Sequence, residues 1–230
     1  LLRFCANYSY LEPFLCPDGL KLYFATDRPK SDTETMKSDF DIWFVERKSS
    51  RDQWSRPINM GNTVNSENNE FYPTLSDNQN LYFTMDATSG LGKDDIYFCK
   101  WDGIAYAKPV LLNKNINSEG YEFNAFISRD EQTLIYTKYN AADGLGSGDL
   151  YLSKKDEQGE WQKAQHMGST INSRYMEYCP FYNSKTGTLY FTSRRNNLTP
   201  QKFKNVKDLQ KYISSGENGL SKIYKVNIEL

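Results

Sequence analysis

The sequence predicts an all-β protein, a β-propeller of four-stranded antiparallel blades with one short helix inserted in the last blade. Two observations carry that expectation. The first is an internal repeat: Asn65-Ser66…Glu70, Asn117-Ser118…Glu122 and Asn172-Ser173…Glu177 share one spacing, and their asparagines fall 52 and 55 residues apart. A period near fifty marks a repeat architecture. The second is the content of each unit, four short β-branched and aromatic runs separated by Gly, Pro, Asn and Asp turns. Strands of that length at that period describe blades better than solenoid coils.

The elements follow in order. First strands lie just after Tyr10, Glu70, Glu122 and Glu177, which share one register. Second strands are Leu22-Tyr23-Phe24, Leu81-Tyr82-Phe83, Leu134-Ile135-Tyr136 and Leu189-Tyr190-Phe191. Third strands are Asp41-Ile42-Trp43, Asp95-Ile96-Tyr97, Asp149-Leu150-Tyr151 and Lys222-Ile223-Tyr224. Fourth strands start at Trp54-Ser55-Arg56-Pro57, Tyr106-Ala107-Lys108-Pro109 and Trp161-Gln162-Lys163-Ala164, and the last unit has no such run. The expectation is one domain, 1–230, with repeats at about 8–60, 61–112, 113–167 and 168–230 and 15 strands in all. Either the N-terminal segment completes a four-bladed ring, or the chain supplies four blades of a five- or six-bladed one. Leu1-Leu2-Arg3-Phe4, entering mid-pattern without a Met, favours the second.

Residues 196–219 interrupt the last unit. Thr199-Pro200 reads as an N-cap followed by Pro at the first helical position, and Gly216 as a stop. Phe203, Val206, Leu209 and Ile213 recur at helical steps, so an amphipathic helix packed on the blade rim is expected.

Composition narrows the function. The 28 basic and 29 acidic residues leave a net charge of −1 with no basic block, which argues against nucleic acid or an anionic membrane as partner. No eighteen-residue apolar run suggests a membrane span. Cys5, Cys16, Cys99 and Cys179 lack Cys-x-x-Cys spacing, so they read as small apolar residues and not as zinc ligands. His166, the one histidine, reads as an exposed turn residue; any Ser-His-Asp or Cys-His arrangement would run through it, and no nucleophile motif points there.

Glu12-Pro13-Phe14-Leu15-Cys16-Pro17-Asp18-Gly19 through Phe24-Ala25-Thr26-Asp27-Arg28 resembles the Ser-Pro-Asp-Gly-Lys…Phe-x-Ser-x-Arg motif of TolB-like propeller repeats, with Cys16 in place of the Ser. The later copies decay to Ser76-Asp77-Asn78, Ser128-Arg129-Asp130 and Asn183-Ser184-Lys185. The Asp-Ile-Tyr/Trp third strands and Asn-Ser spacers are similar to envelope-associated members common in Bacteroidetes. The resemblance implies a non-enzymatic binding or scaffold module of the bacterial cell envelope, in the periplasm, associated with the outer membrane or secreted, with a protein or acidic glycan as partner. The alternative is a carbohydrate-active enzyme, a glycoside hydrolase or lyase using carboxylates and Tyr on the axial face. The Ser-x-Asp-x-Gly-x-Thr-Trp turns of sialidases are absent, and the His-containing metal sites of TolB-like uronate lyases cannot be built from one histidine.

Two candidate binding sets stand out. Glu70, Glu122 and Glu177 would gather around the axis by symmetry, or each would cap its own Asn-Ser turn. Arg28, Arg194 and Arg195 depart from the symmetry at the ends of second strands and would suit a carboxylate. No cofactor is expected, although Asp86, Asp94, Asp95 and Asp143 leave a residual case for Ca²⁺. Asp41, Asp95 and Asp149 read chiefly as turn caps.

Overall fold

The computed structural model describes residues 7–31 and 39–230. Cys5 lies outside them. The first blade comprises β1 (Tyr10–Leu15), β2 (Lys21–Thr26), β3 (Asp41–Glu46) and β4 (Ile58–Asn59). The second comprises β5 (Glu70–Leu75), β6 (Leu81–Met85), β7 (Asp95–Cys99) and β8 (Val110–Leu111). The third comprises β9 (Tyr121–Ile127), β10 (Thr133–Tyr139), β11 (Gly148–Lys154) and β12 (Gln165–His166). The last holds β13 (Glu177–Asn183), β14 (Thr188–Ser193) and β15 (Lys222–Asn227), with α1 (Val206–Ile213) between the last two. Within each sheet the strands are antiparallel and follow chain order, as the repeat predicts.

Fourth strands are shorter than expected and begin beyond the aromatic residue. Pro57 and Pro109 stand just before β4 and β8, and a proline cannot donate to a ladder. Trp161 makes only an isolated bridge to Lys155.

The Asn-Ser-x-x-x-Glu motif joins consecutive blades. Its asparagine clamps the third strand of the preceding blade: the Asn65 side chain accepts from Ile42 N at 2.9 Å and donates to Ile42 O at 3.0 Å. Asn117 does the same to Ile96, and Asn172 to Leu150. The glutamate then opens the inner strand of the next blade. A clamped asparagine satisfies two backbone groups that burial would otherwise leave unmet.

Inner strands β1, β5, β9 and β13 pack side by side in that order. No Cα of β1 lies within 8 Å of one in β13, so among the described residues the inner strands of the first and last blades do not close the ring. Every inner strand carries a bulge two residues beyond the shared register. The bulge residues, Glu12, Tyr72, Asn124 and Cys179, all adopt left-handed backbone, with φ of 54°, 50°, 54° and 51°. For residues with a Cβ that conformation costs about 1–2 kcal/mol each. Its fourfold recurrence marks it as part of the blade's construction, and a bulge re-aims the side chain it carries.

The insertion differs from its expectation. Asn205, not Thr199, caps α1, accepting from Asp208 N at 2.9 Å. Thr199 instead donates its N–H to Tyr212 Oη at 2.7 Å and accepts from that hydroxyl at 2.8 Å, so its backbone tethers the helix. The helix ends at Ser214, before Gly216. Val206, Leu209 and Ile213 are exposed, and no Cα of α1 comes within 8 Å of a strand. The rim packing expected of this stripe is therefore absent among the described residues; Phe203 meets Tyr212 of the helix in a tilted ring contact at 5.2 Å.

Candidate functional site

The three repeated glutamates are fully buried at the starts of their inner strands. Each accepts from the N–H and hydroxyl of the serine four residues earlier: Glu70 from Ser66 (3.1 and 2.5 Å), Glu122 from Ser118 (2.8 and 2.6 Å), Glu177 from Ser173 (2.8 and 2.7 Å). They hold their own turns. What differs between blades is the cation beside them. Lys138 Nζ lies 3.5 Å from Glu122, and Arg195 Nε lies 3.4 Å from Glu177. Glu70 faces Met85 across the strand pair and has no basic partner among the described residues. Burial, reinforced by Asp41 and Asp39 and opposed by the Ser66 hydrogen bonds, pushes its carboxyl up to about 7.

The arginine set resolves into three different environments. Arg195 belongs to the Glu177 network, donates to Ile171 O and lies over Tyr224 at 4.9 Å. Arg28 lies over Trp43 at 4.7 Å. Arg194 is exposed, above the Tyr178 ring at 5.6 Å, and leads directly into the insertion carrying α1. The two candidate sets therefore meet, at Arg195 and Glu177.

The axis is occupied by the bulge residues instead. Glu12 accepts from Tyr72 N at 2.7 Å and from Asn124 Nδ2 at 3.0 Å; Tyr72 Oη donates to Pro180 O at 3.0 Å; Cys179 Sγ contacts Asn124 Oδ1 at 3.5 Å. Four blades are tied together by these contacts. Burial raises the Glu12 carboxyl and pushes the Cys179 thiol up to about 12, so the thiol is a poor nucleophile. Beside this network a cavity of about 400 Å³ is lined by Glu12, Phe14, Phe126, Phe181, Tyr190 and Phe191 among others. Sequence reading missed this set because the four residues share a register but no chemistry. The register two positions past the glutamates was the available signal.

Other sequence candidates are absorbed by local structure. Asp95 Oδ2 accepts from Leu91 N and Gly92 N, and Asp149 Oδ2 from Leu145 N and Gly146 N, so these residues cap the Gly-Leu-Gly loops. A Cβ on Gly146 would meet Tyr175 O at 1.9 Å, which is why the loop needs glycine there. Among the described residues no three His, Cys, Asp or Glu side chains are grouped to hold a metal ion. His166 is half-buried in β12, not an exposed turn residue. Its Nδ1 accepts from Gly168 N at 3.1 Å, and its Nε2 lies 3.0 Å from Asn172 Nδ2 and 3.3 Å from Asp149 Oδ1. Asn59 holds the matching place in the first blade, bonding Gly61 N and Asp41. Cys16 falls just past β1; burial raises it to about 11, and buried Cys99 to about 12.

The fold and this arrangement define a propeller whose repeated glutamates, with Asp95 and Asp149, hold its own turns. No protein-family model and no curated protein matches the sequence. Solved structures do match. TolB from Acinetobacter baumannii superposes with a TM-score of 0.50 at 12% identity, over 80% of this chain and 38% of that one. A putative TolB from Agrobacterium tumefaciens gives 0.52 at 12% identity, over 82% and 56%. An α-L-arabinofuranosidase from Lactobacillus brevis gives 0.50 at 12% identity, over 93% and 70%. The chain is thus similar in fold to TolB-like propellers and to glycosidase propellers, and it spans about two-fifths to just over half of the two TolB chains. No helix among the described residues is long and apolar enough to cross a membrane.

Proposed function

We propose that the chain is a non-enzymatic binding module of the bacterial cell envelope that takes a protein or acidic glycan partner. The observation that carries this reading is the use of the repeated carboxylates. Each of the three glutamates is bonded to its own serine turn, and His166 substitutes for a structural asparagine. Residues repeated with the blade build the blade, so recognition falls to positions that break the repeat. Arg194 is the exposed cation at such a position, beside the α1 insertion, where a partner carboxylate would gain a charge-assisted hydrogen bond. Likeness to TolB supports an envelope setting. The bare faces at the opening of the ring support a further blade there in the assembled propeller.

Retention on an immobilised polyuronate should fall with salt and fall further in Arg194→Ala. The rival reading, a glycoside hydrolase, draws on the aromatic cavity beside Glu12 and on likeness to the arabinofuranosidase. Turnover of aryl arabinofuranosides, uronides or sialosides by the purified protein, lost in Glu12→Gln, would decide for the enzyme.

A further inference from the structure

The four blades serve as controls for one another. In three of them a cation near the end of the second strand lies over the aromatic ring of the third: Arg28 over Trp43 at 4.7 Å, Lys138 over Tyr151 at 5.5 Å, and Arg195 over Tyr224 at 4.9 Å. Where a glutamate is also present, in the third and fourth blades, the same cation pairs with it. The second blade has the ring, Tyr97, and the carboxylate, Glu70. At the positions of Lys138 and Arg195, however, it has Met85 and Ala87.

Two physical consequences coincide at that spot. Glu70 is fully buried, and its Oε2 makes no hydrogen bond. A buried carboxylate oxygen without a partner is costly, and native structures rarely tolerate one without a use for it. Next to it is a cavity of about 310 Å³, lined by Val64, Ser66, Met85, Ala87, Tyr97 and Lys108 among others. Ser66 bonds Glu70 directly, and Met85 is its cross-strand neighbour. Val64 corresponds to Ile171, whose carbonyl takes the Arg195 guanidinium in the fourth blade. The ring and the corresponding backbone position thus line this space and the carboxylate adjoins it, while the two positions that carry a cation in the other blades hold Met85 and Ala87; Lys108 is the cation on its wall among the described residues.

We propose that this cavity in the second blade binds an arginine side chain of a partner protein, its guanidinium lying over Tyr97 and paired with Glu70. Two of the three internal cations are arginines, and a flat guanidinium both stacks on a ring and forks to a carboxylate. Met85, unbranched and with three rotatable bonds, is the side chain that turns aside to admit it. The site is separate from Arg194, and its test is independent of the anionic partner proposed there.

The probe is N-acetyl-argininamide, titrated into the intact chain and followed by calorimetry and by the carbon-13 shift of the Glu70 carboxyl. The wild type should bind it saturably, about tenfold more tightly at pH 8 than at pH 6, because binding needs the ionised glutamate. N-acetyl-norleucinamide, which lacks the charge, should not bind. Ala87→Arg installs a tethered guanidinium as in the first and fourth blades; it should abolish binding and leave the melting temperature equal or higher. Should Ala87→Arg fail to fold, the Glu70 titration in the wild type decides: the probe must move its midpoint to lower pH. No saturable binding, equal binding of the norleucine analogue, binding that survives Ala87→Arg, or a Glu70 midpoint unmoved by the probe would each overturn the proposal.

Discussion

Ile96 and Ile223 hold the same place in the third strands of the second and fourth blades, yet one is 0% exposed and the other 79%. The inner strands show the same contrast from the other side: Ile127 is 1% exposed, whereas Leu15, its counterpart in the first blade, is 52% exposed. The residue types barely differ. What differs is that Ile96 has a following blade and the Asn117 clamp over it, and Ile127 a preceding blade against it. A blade therefore completes its core only through its neighbours, as expected of a repeat whose units contact only the next in line.

That contrast can be broken most directly by cutting both isoleucines back. Ile96→Ala should lower unfolding free energy by about 2–5 kcal/mol in denaturant titration, and Ile223→Ala by less than about 0.5. Equal losses would mean that Ile223 is covered in solution.

The interface between the first two blades, where Asp39 and Asp41 bear on Glu70, sharpens it next. Because the folded-state carboxyl is raised to about 7, its favourable contribution is complete below the ordinary glutamate range and disappears as pH climbs through 7. Wild type should therefore lose on the order of 3 kcal/mol against Glu70→Gln between pH 4.5 and 8. Parallel stability profiles for the two proteins would refute the shift.

Removing a clamp should cost less than removing a core side chain. Asn117→Ala leaves the buried N–H and C=O of Ile96 unmet and should cost about 1–3 kcal/mol, with amide exchange at Ile96 accelerating most. Smallest of all is the exposed Arg129–Asp77 pair, which bridges the same two blades at 2.8 Å. Arg129→Ala should change stability by about 0.5 kcal/mol or less, showing that burial and not mere adjacency of blades sets the energy.

Much of this was readable from the chain. The first, second and third strands of every blade and their antiparallel order follow from the β-branched and aromatic runs and the turn residues, whereas the three fourth strands begin just beyond the runs that marked them. The repeated Asn and Glu announced themselves by spacing, and the glutamate's hold on its own turn was one of the two readings they allowed; the asparagine's clamp on the preceding blade was not legible. The start of α1 was misplaced because Thr199-Pro200 carries every local mark of an N-terminus, while the deciding contact, Tyr212 to Thr199, spans thirteen residues. The axial residues were invisible for a related reason. Glu12, Tyr72, Asn124 and Cys179 are united by backbone conformation and by contacts between strands far apart in sequence.

Period, strand content and turn chemistry are properties of neighbouring residues, so the sequence by itself determined the blade and its count of four in this chain. Which carboxylates find a cation depends on a neighbour 16 or 18 positions away across a strand pair, and what stands at the axis depends on residues 55 to 112 positions apart. Short-range patterns carry no record of those distances. Strand pairing within the last blade decided that Glu177 would meet Arg195, and the packing of one blade on the next left Ile223 open and Glu70 buried without a matching cation among the described residues.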